Sequence, residues 1–305
     1  ARFGDYASPQ YGTIKSSENY ERRFIMTFPN ETLPKGRKQK TTALYDRFVN
    51  QGAVMGDSFG LENVLWFANN KEDAHEEPTI KRSRSHDYVS REVINVRENV
   101  GLIEVANFSK HEFKGTDARK FLDHVMAGKL PKPGRISLSP MLSYRGKLYG
   151  DLTVACFDEN EFMVFGSGAA QEMHRRWFES HLDKFDVNYK NRSDEFHGIS
   201  IAGPNSRKVL EKIVRDNVTN EKFKFRDSRR MFVGGVPAII NRISFTGELG
   251  YEIYVAPHYQ IKLYEELMEA GKEFNIKPFG GRALMSMRLE KNWGAWTLDY
   301  RPDFS

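Results

Sequence analysis

The chain has 305 residues, with 46 Lys and Arg against 41 Asp and Glu for a net charge of +5, and a single cysteine, Cys156. That length suits one large or two medium domains with proper cores, and one cysteine excludes an internal disulfide, so the fold must stand without covalent staples. No apolar run reaches the roughly 18 residues of a membrane span, and no charged-then-apolar leader opens the sequence, so the chain reads as a protein of a reducing compartment that neither crosses a membrane nor is secreted.

Residues 1–40 are polar and aromatic-rich and close on PKGRKQK, which predicts an extended lead-in or linker. GDSFG at 56–60 fits the G-x-S-x-G elbow that would make Ser58 an acyl-transfer nucleophile, but no strand and helix alternation precedes it, so a glycine-flanked turn is the better reading. The basic KRSRSH at 81–86 follows the acidic KEDAHEE at 71–77, which makes the segment a locally neutral loop and not a nucleic-acid patch. In TDARKFLDHVMAGKL the residues Ala118, Phe121, Leu122, Val125 and Met126 recur at helical spacing and predict a helix burying that stripe.

RGKLYGDLTVACF alternates as a strand. Leu148, Gly150, Leu152 and Val154 share one face, while Asp151 lies on the other with Tyr149 and Thr153, and aspartate inside a strand needs a site or a hydrogen-bonded role to compensate. GSGAAQ at 166–171 links a strand to a helix but lacks the third glycine and the lysine of a phosphate loop. His174 and His181 stand seven apart on one helical run with nothing to complete a zinc set, so no metal is expected. PNSRKVLEKIVRD predicts a second helix, with Pro204 in its first position and Val209, Leu210, Ile213 and Val214 buried. ISFTGELGYEIYV then reads as two strands around a glycine turn, with Tyr251, Ile253 and Val255 on one face and Glu252 and Tyr254 on the other; the simplest role for Glu252 is to point at water. RALMSMRLEK is a helix bearing Arg288 and Glu290, a pair whose simplest role is a surface ion pair.

The two helices open alike, Gly115-Thr-Asp-Ala-Arg-Lys-Phe-Leu against Gly203-Pro-Asn-Ser-Arg-Lys-Val-Leu, an offset of 88. Each follows a strand-like run and precedes two more strands and another helix. Such a repeated order predicts an α+β fold of two ferredoxin-like halves, around 100–190 and 191–290, each an antiparallel sheet with helices on one face.

At this point the chain resembles a family. REVINVRENVGLIEVANFSKHEFKGTDARKFLDHVMAGKLPKPGRISLSPML, GKLYGDLTVACF, AGPNSRKVL, ISFTGELGYEIY and RALMSMRLEK are similar, in order, to the folate-binding aminomethyltransferase (glycine-cleavage T-protein) superfamily, and within it to the dimethylglycine and sarcosine dehydrogenases. The lead-in resembles the segment that joins their flavin domain to their folate domain. The resemblance implies a T-protein-like domain over 41–305 after a linker at 1–40, in a parent carrying FAD in a domain before Ala1 and a β-barrel after Ser305, both missing from this chain.

The resemblance also implies roles for particular residues. Asp151 would be the catalytic carboxylate beside the reactive nitrogen of tetrahydrofolate, Gly150 standing where the family has a second acidic residue. Glu252 would bond the pterin ring, and Arg288 would border the folate site. Phe245 and Leu138 stand where the family has pterin-contacting tyrosines, Leu138 just ahead of the S-x-M-L motif that carries Met141. The implied activity is acceptance of a one-carbon unit, as an N-methyl-amine-derived iminium, to give 5,10-methylene-tetrahydrofolate, and the positive charge would suit the anionic glutamyl tail. A stand-alone aminomethyl- or methyltransferase and a catalytically silent folate-binding or assembly module are the alternatives. The expected location is the cytoplasm, with the mitochondrial matrix as the alternative.

Overall fold

A computed structural model describes residues 8–29, 31–58 and 60–300, with the side chain of Thr297 left out. The lead-in differs from the extended segment expected, because it contains α1 (Pro9–Glu21). Ser8 accepts from the Tyr11 N–H at 3.0 Å and Pro9 sits at the start, so the helix begins on a cap and needs no apolar stripe. Tyr11 donates to Asp57 at 3.1 Å, the Lys35 N–H to Glu18 at 2.7 Å and Arg37 Nε to Glu62 at 2.8 Å. These bonds fasten the segment to itself and to the hairpin that follows α2 (Tyr45–Asn50), which is β1 (Ala53–Ser58) paired antiparallel with β2 (Leu61–Phe67). Ser58 pairs with Leu61 at the end of that hairpin, and the Gly60 N–H donates to Asp57 at 2.7 Å. Ser58 therefore ends a hairpin strand, without the strand-to-helix junction an elbow requires, and Phe59 of the motif lies outside the described residues.

The acidic and basic runs pair with each other, Arg84 reaching both Asp73 and Glu77 at 2.7 Å, and lead into α3 (Ser85–Glu98) and β3 (Val100–Glu104). Two similar units follow. The first runs β4 (Phe108–Lys114), α4 (Ala118–Val125), β5 (Arg135–Leu142), β6 (Leu148–Asp158), β7 (Glu161–Ser167), α5 (Gln171–Glu179) and β8 (Asn188–Asn191). The second runs β9 (His197–Ala202), α6 (Ser206–Ile213), β10 (Ser228–Val233), β11 (Val236–Asn241), β12 (Gly250–Val255), α7 (Gln260–Gly271) and β13 (Ile276–Pro278), before α8 (Gly281–Glu290) and the short α9 (Trp296–Asp299).

The strand order in the first sheet is β5-β6-β7-β4-β8 and in the second β10-β11-β12-β9-β3-β13. Position for position these agree, except that β3 enters between β9 and β13. Both are ferredoxin-like sheets with one extra edge strand, as the repeat implied. Gly115 and Gly203 occupy the matching strand-to-helix turns, with φ of +145° and +131°, and a Cβ at either would lie within 2.5 Å of a backbone oxygen, that of Asp186 or Val96. Glycine is required at both. Pro204 is in the second of these turns and not in the helix, which starts at Ser206.

Each sheet buries one face under its own helices. Phe121 and Leu122 of α4 and Phe178 of α5 cover Leu152, Val154 and Met141, while Val209, Leu210, Leu263 and Leu267 of α6 and α7 cover Tyr251, Ile253 and Val255. The opposite faces meet in an inner layer: Ile136, Ala155, Met163 and Phe165 of the first sheet against Ile103, Ala202, Ile239 and Tyr254 of the second, closed by Val93 and Val96 of α3 and Ala283 and Met287 of α8. Phe165 stacks on Tyr254 with ring centres 4.6 Å apart, a contact contributing about 0.5–1.5 kcal/mol beyond its buried area. At one side the extra edge strands touch, with Ile136 N–H donating to Arg226 O and Ser228 N–H to Gly134 O.

Candidate functional site

The inner layer is where strand alternation delivers the two carboxylates picked out above. On β6, Thr153 and Asp151 follow Ala155 at period two on the inner face, and Asp151 stands opposite Pro140 of β5. On β12, Glu252 shares the inner face with Tyr254, whose hydroxyl donates to it at 2.9 Å. Glu252 thus does not simply point at water. Burial pushes it up to about 7, the Tyr254 hydroxyl opposing that shift, and burial also raises Asp151. Among the described residues, Asp151 has no hydrogen-bond partner, and Glu252 has only the tyrosine. Two carboxylates turned inward with so few internal donors are poised to accept from something else.

The four remaining candidates, Leu138, Phe245, Met141 and Arg288, occupy different settings. Leu138 is on the Asp151 face of β5 and is 51 % exposed, an apolar surface next to the carboxylate. Phe245 is partly buried on the loop from β11 to β12, which Ser244 and Thr246 brace internally and Lys291 holds to the end of α8 through Glu248 at 3.7 Å. Met141 does not join them. It pairs with Gly150, on the opposite parity from Asp151, and is fully buried against the helices of the first half.

Arg288 is buried at the end of α8 and pairs with Asp299 at 2.6 Å, not with Glu290; it also donates to the Trp293 carbonyl at 2.7 Å, and among the described residues its buried Nε has no partner. Trp296, on the same terminal segment, donates to the Leu148 carbonyl at 3.4 Å and stacks on His174 at 5.4 Å. The segment therefore ties the Arg288 end of α8 to the start of the Asp151 strand.

His174 packs beneath the strand that carries Asp151. Its Nε2 bonds the Tyr149 carbonyl at 3.2 Å, and a Cβ at Gly150 would lie 2.7 Å from that nitrogen. Gly150 thus makes room for the ring beneath the strand that carries Asp151. Burial pushes His174 down to about 4, so it is neutral near pH 7. His181 lies past the end of α5, where it bonds the Tyr144 hydroxyl at 3.0 Å. No group of three metal-ligating side chains comes together among the described residues. The GSGAAQ turn packs closely against the chain before β4: a Cβ at Gly168 would fall 2.0 Å from the Asn107 carbonyl oxygen.

Sequence reasoning missed the buried groups behind Glu252. Lys110, on β4, is fully buried, and Glu104, at the end of β3, accepts from Gln260. Burial pushes Lys110 down and Glu104 up, both to about 7.

Comparison with known proteins agrees with this architecture. Residues 44–305 match the GCVT N-terminal domain family. The human protein named dimethylglycine dehydrogenase, mitochondrial, is 34% identical over 99% of this chain and 35% of its own length, and the human sarcosine dehydrogenase, mitochondrial, is 26% identical over 97% and 37%. The chain thus spans about a third of the length of these relatives. The aminomethyltransferase T of the glycine cleavage system from Bartonella henselae superposes with a TM-score of 0.71 over 84% of this chain and 64% of its own, at 21% identity, which shows the shared fold. On the match over residues 44–305, this chain belongs to the GCVT aminomethyltransferase domain family, with the dimethylglycine and sarcosine dehydrogenases among its relatives.

Proposed function

We propose that this chain binds tetrahydrofolate against the inner layer and accepts onto it the one-carbon unit of an N-methyl-amine-derived iminium, forming 5,10-methylene-tetrahydrofolate. Two inward carboxylates carry the proposal: Asp151 without a partner, and Glu252 with one tyrosine hydroxyl. A pterin presents an amino-pyrimidinone edge of N–H donors, which a carboxylate on a rigid strand accepts in paired, charge-assisted bonds. Glu252 is that carboxylate. Asp151, raised by burial, takes up a proton at higher pH than an exposed aspartate and so can hold or remove the proton of the folate nitrogen as the new bond forms. Leu138 and Phe245 give apolar edges to the site, and the unpartnered Nε of Arg288 is a donor left for the folate side. Tetrahydrofolate supplies the nucleophilic nitrogen; the chain positions it and manages the proton.

The iminium comes from flavin-dependent oxidation of an N-methylated glycine elsewhere in a longer parent, a reading supported by relatives that are named dehydrogenases and are about three times as long as the matched region. Their names favour the mitochondrial matrix over the cytoplasm. In such a flavin-containing enzyme supplied with tetrahydrofolate, Asp151→Asn lowers the yield of methylene-tetrahydrofolate by about 100-fold or more and releases formaldehyde instead. Amine oxidation continues at the wild-type rate. An unchanged product ratio overturns the assignment of Asp151.

A further inference from the structure

Strict alternation along β6 would set Tyr149 on the inner face with Asp151. Instead its ring packs on Trp177 of α5, with centres 4.7 Å apart, on the side that the helices cover. The register gives the reason. Leu148 stands opposite Leu142 and Gly150 opposite Met141, so among the described residues Tyr149 has none facing it on β5: it is the extra residue of a β-bulge, two positions before Asp151. With the bulge there, Asp151, Thr153 and Ala155 keep the inner face. The same extra residue taken up past Asp151 would turn the carboxylate toward the helices, because a shift of one position exchanges the faces of a strand.

Sheet pairing holds this stretch from one side. From Thr153 onward β6 is flanked by both β5 and β7, whereas Leu148, Gly150, Asp151 and Leu152 pair, among the described residues, with β5 alone. Two side chains supply what the ladder lacks. His174 Nε2 bonds the Tyr149 carbonyl at 3.2 Å, and Trp296 Nε1 donates to the Leu148 carbonyl at 3.4 Å. Their rings stack with centres 5.4 Å apart and planes 29° from parallel, so one aromatic pair takes two successive carbonyls. A carbonyl only accepts, so His174 is the tautomer with its proton on Nε2. The ring fits because residue 150 is glycine, a Cβ there lying 2.7 Å from Nε2. His174 is fully buried on α5, and the terminal segment fixes Trp296, Asp299 accepting from Arg288 and from the Ala295 N–H, each at 2.6 Å.

We propose that His174 and Trp296 are positioning residues for Asp151: by holding the carbonyls of Tyr149 and Leu148 they pin the bulge ahead of the carboxylate and so fix the one-sided stretch of β6 from which it projects into the inner layer. Removing the His174 donor leaves the Tyr149 carbonyl unmet and frees the bulge to move. The consequence for catalysis rests on the tetrahydrofolate reading; the pinning of the bulge does not.

The pinning is tested without ligand by hydrogen exchange of the 305-residue chain. In His174→Leu, which fills the space and donates nothing, exchange over residues 148–152 quickens about tenfold or more, while residues 153–156, flanked on both sides, exchange as in the wild type. His174→Gln, whose terminal amide carries an N–H to the neighbourhood of Nε2, restores the wild-type rate. Trp296→Phe keeps the ring stack, loses the N–H and quickens the same residues, and it serves if His174→Leu does not fold. Unchanged exchange over 148–152 in both His174→Leu and Trp296→Phe, a rise spread evenly over the sheet, or exchange in His174→Gln as fast as in His174→Leu overturns the proposal.

The consequence for Asp151 is tested in a flavin-containing enzyme that carries this domain. His174→Leu binds tetrahydrofolate as the wild type does, since Glu252 stands on the other sheet, but its yield of methylene-tetrahydrofolate falls about tenfold or more, with formaldehyde released instead. A wild-type yield in a variant whose exchange has quickened overturns the link to Asp151. A wild type that does not bind tetrahydrofolate overturns the folate reading instead, and the exchange rates still decide the pinning.

Discussion

Single residues in this fold are governed by which face of a strand they occupy. His111 and Lys110 are neighbours on β4 and end in different surroundings, His111 against Phe178 and Tyr189 under the helices, Lys110 toward the inner layer. Burial, and then the nearby His174 and Lys110, depress His111 to about 3. Because its folded value lies below the ordinary one, the native state binds fewer protons than the unfolded chain at acidic pH. The stability this neutral burial supplies is present above about pH 6.5 and is lost as pH falls toward 3. Thermal or urea unfolding of His111→Phe therefore shows a smaller loss of stability between about pH 7 and pH 4.5 than the wild type, by roughly 2–3 kcal/mol. An equal loss in both proteins shows that His111 is not the group responsible.

The same parity decides what could be read from sequence at this scale. Glu252 and Asp151 were legible because alternation sets them on the face away from the helix-covered apolar residues. Met141 misled because a motif was read without its parity: it lies opposite Gly150, one residue off the Asp151 face. Lys110 was not legible, because its burial follows from β4 lying inside the sheet, between β7 and β8.

At the scale of elements, apolar periodicity found α4, whose stripe is buried, and α6, where Val209 and Leu210 are buried but Ile213 and, just past the helix end, Val214 are only partly so. It could not find α1, which is polar on all sides and is specified by its Ser-Pro start and its side-chain bonds to the following segment. Nor could it place β3, whose insertion between β9 and β13 is a tertiary choice. One carboxylate links α3, the start of α8 and the first hairpin. Glu92 of α3 accepts from the Phe67 N–H at 2.7 Å with one oxygen and from the Gly280 N–H at 2.9 Å with the other. Glutamine has one acceptor, so Glu92→Gln turns an NH₂ toward a backbone N–H and leaves a buried donor unmet. The expected loss is about 1–3 kcal/mol in urea unfolding, with faster hydrogen exchange at Phe67 or Gly280. Wild-type stability and exchange in that variant mean the two bonds contribute little.

Across the whole molecule, duplication explains why the site lies where it does. Two copies of one ferredoxin-like unit each cover one sheet face with their own helices and leave the other face apolar, and the faces are buried against each other with α3 and α8 closing the layer. Asp151 comes from the first copy and Glu252 from the second, so the proposed site draws on both. The repeat was legible because the same glycine geometry opens the first helix of each copy, Gly115 and Gly203. The meeting of the inner faces was not, since no local pattern states which surface two sheets will share. Calorimetric titration of the 305-residue chain with tetrahydrofolate, beside Glu252→Gln and with circular dichroism to show both folded, tests the proposed site most directly. Saturable binding by the wild type, weakened roughly 10- to 100-fold in Glu252→Gln, is the expected outcome. A folded wild type that gives no binding heat, or a variant that binds as tightly, contradicts it.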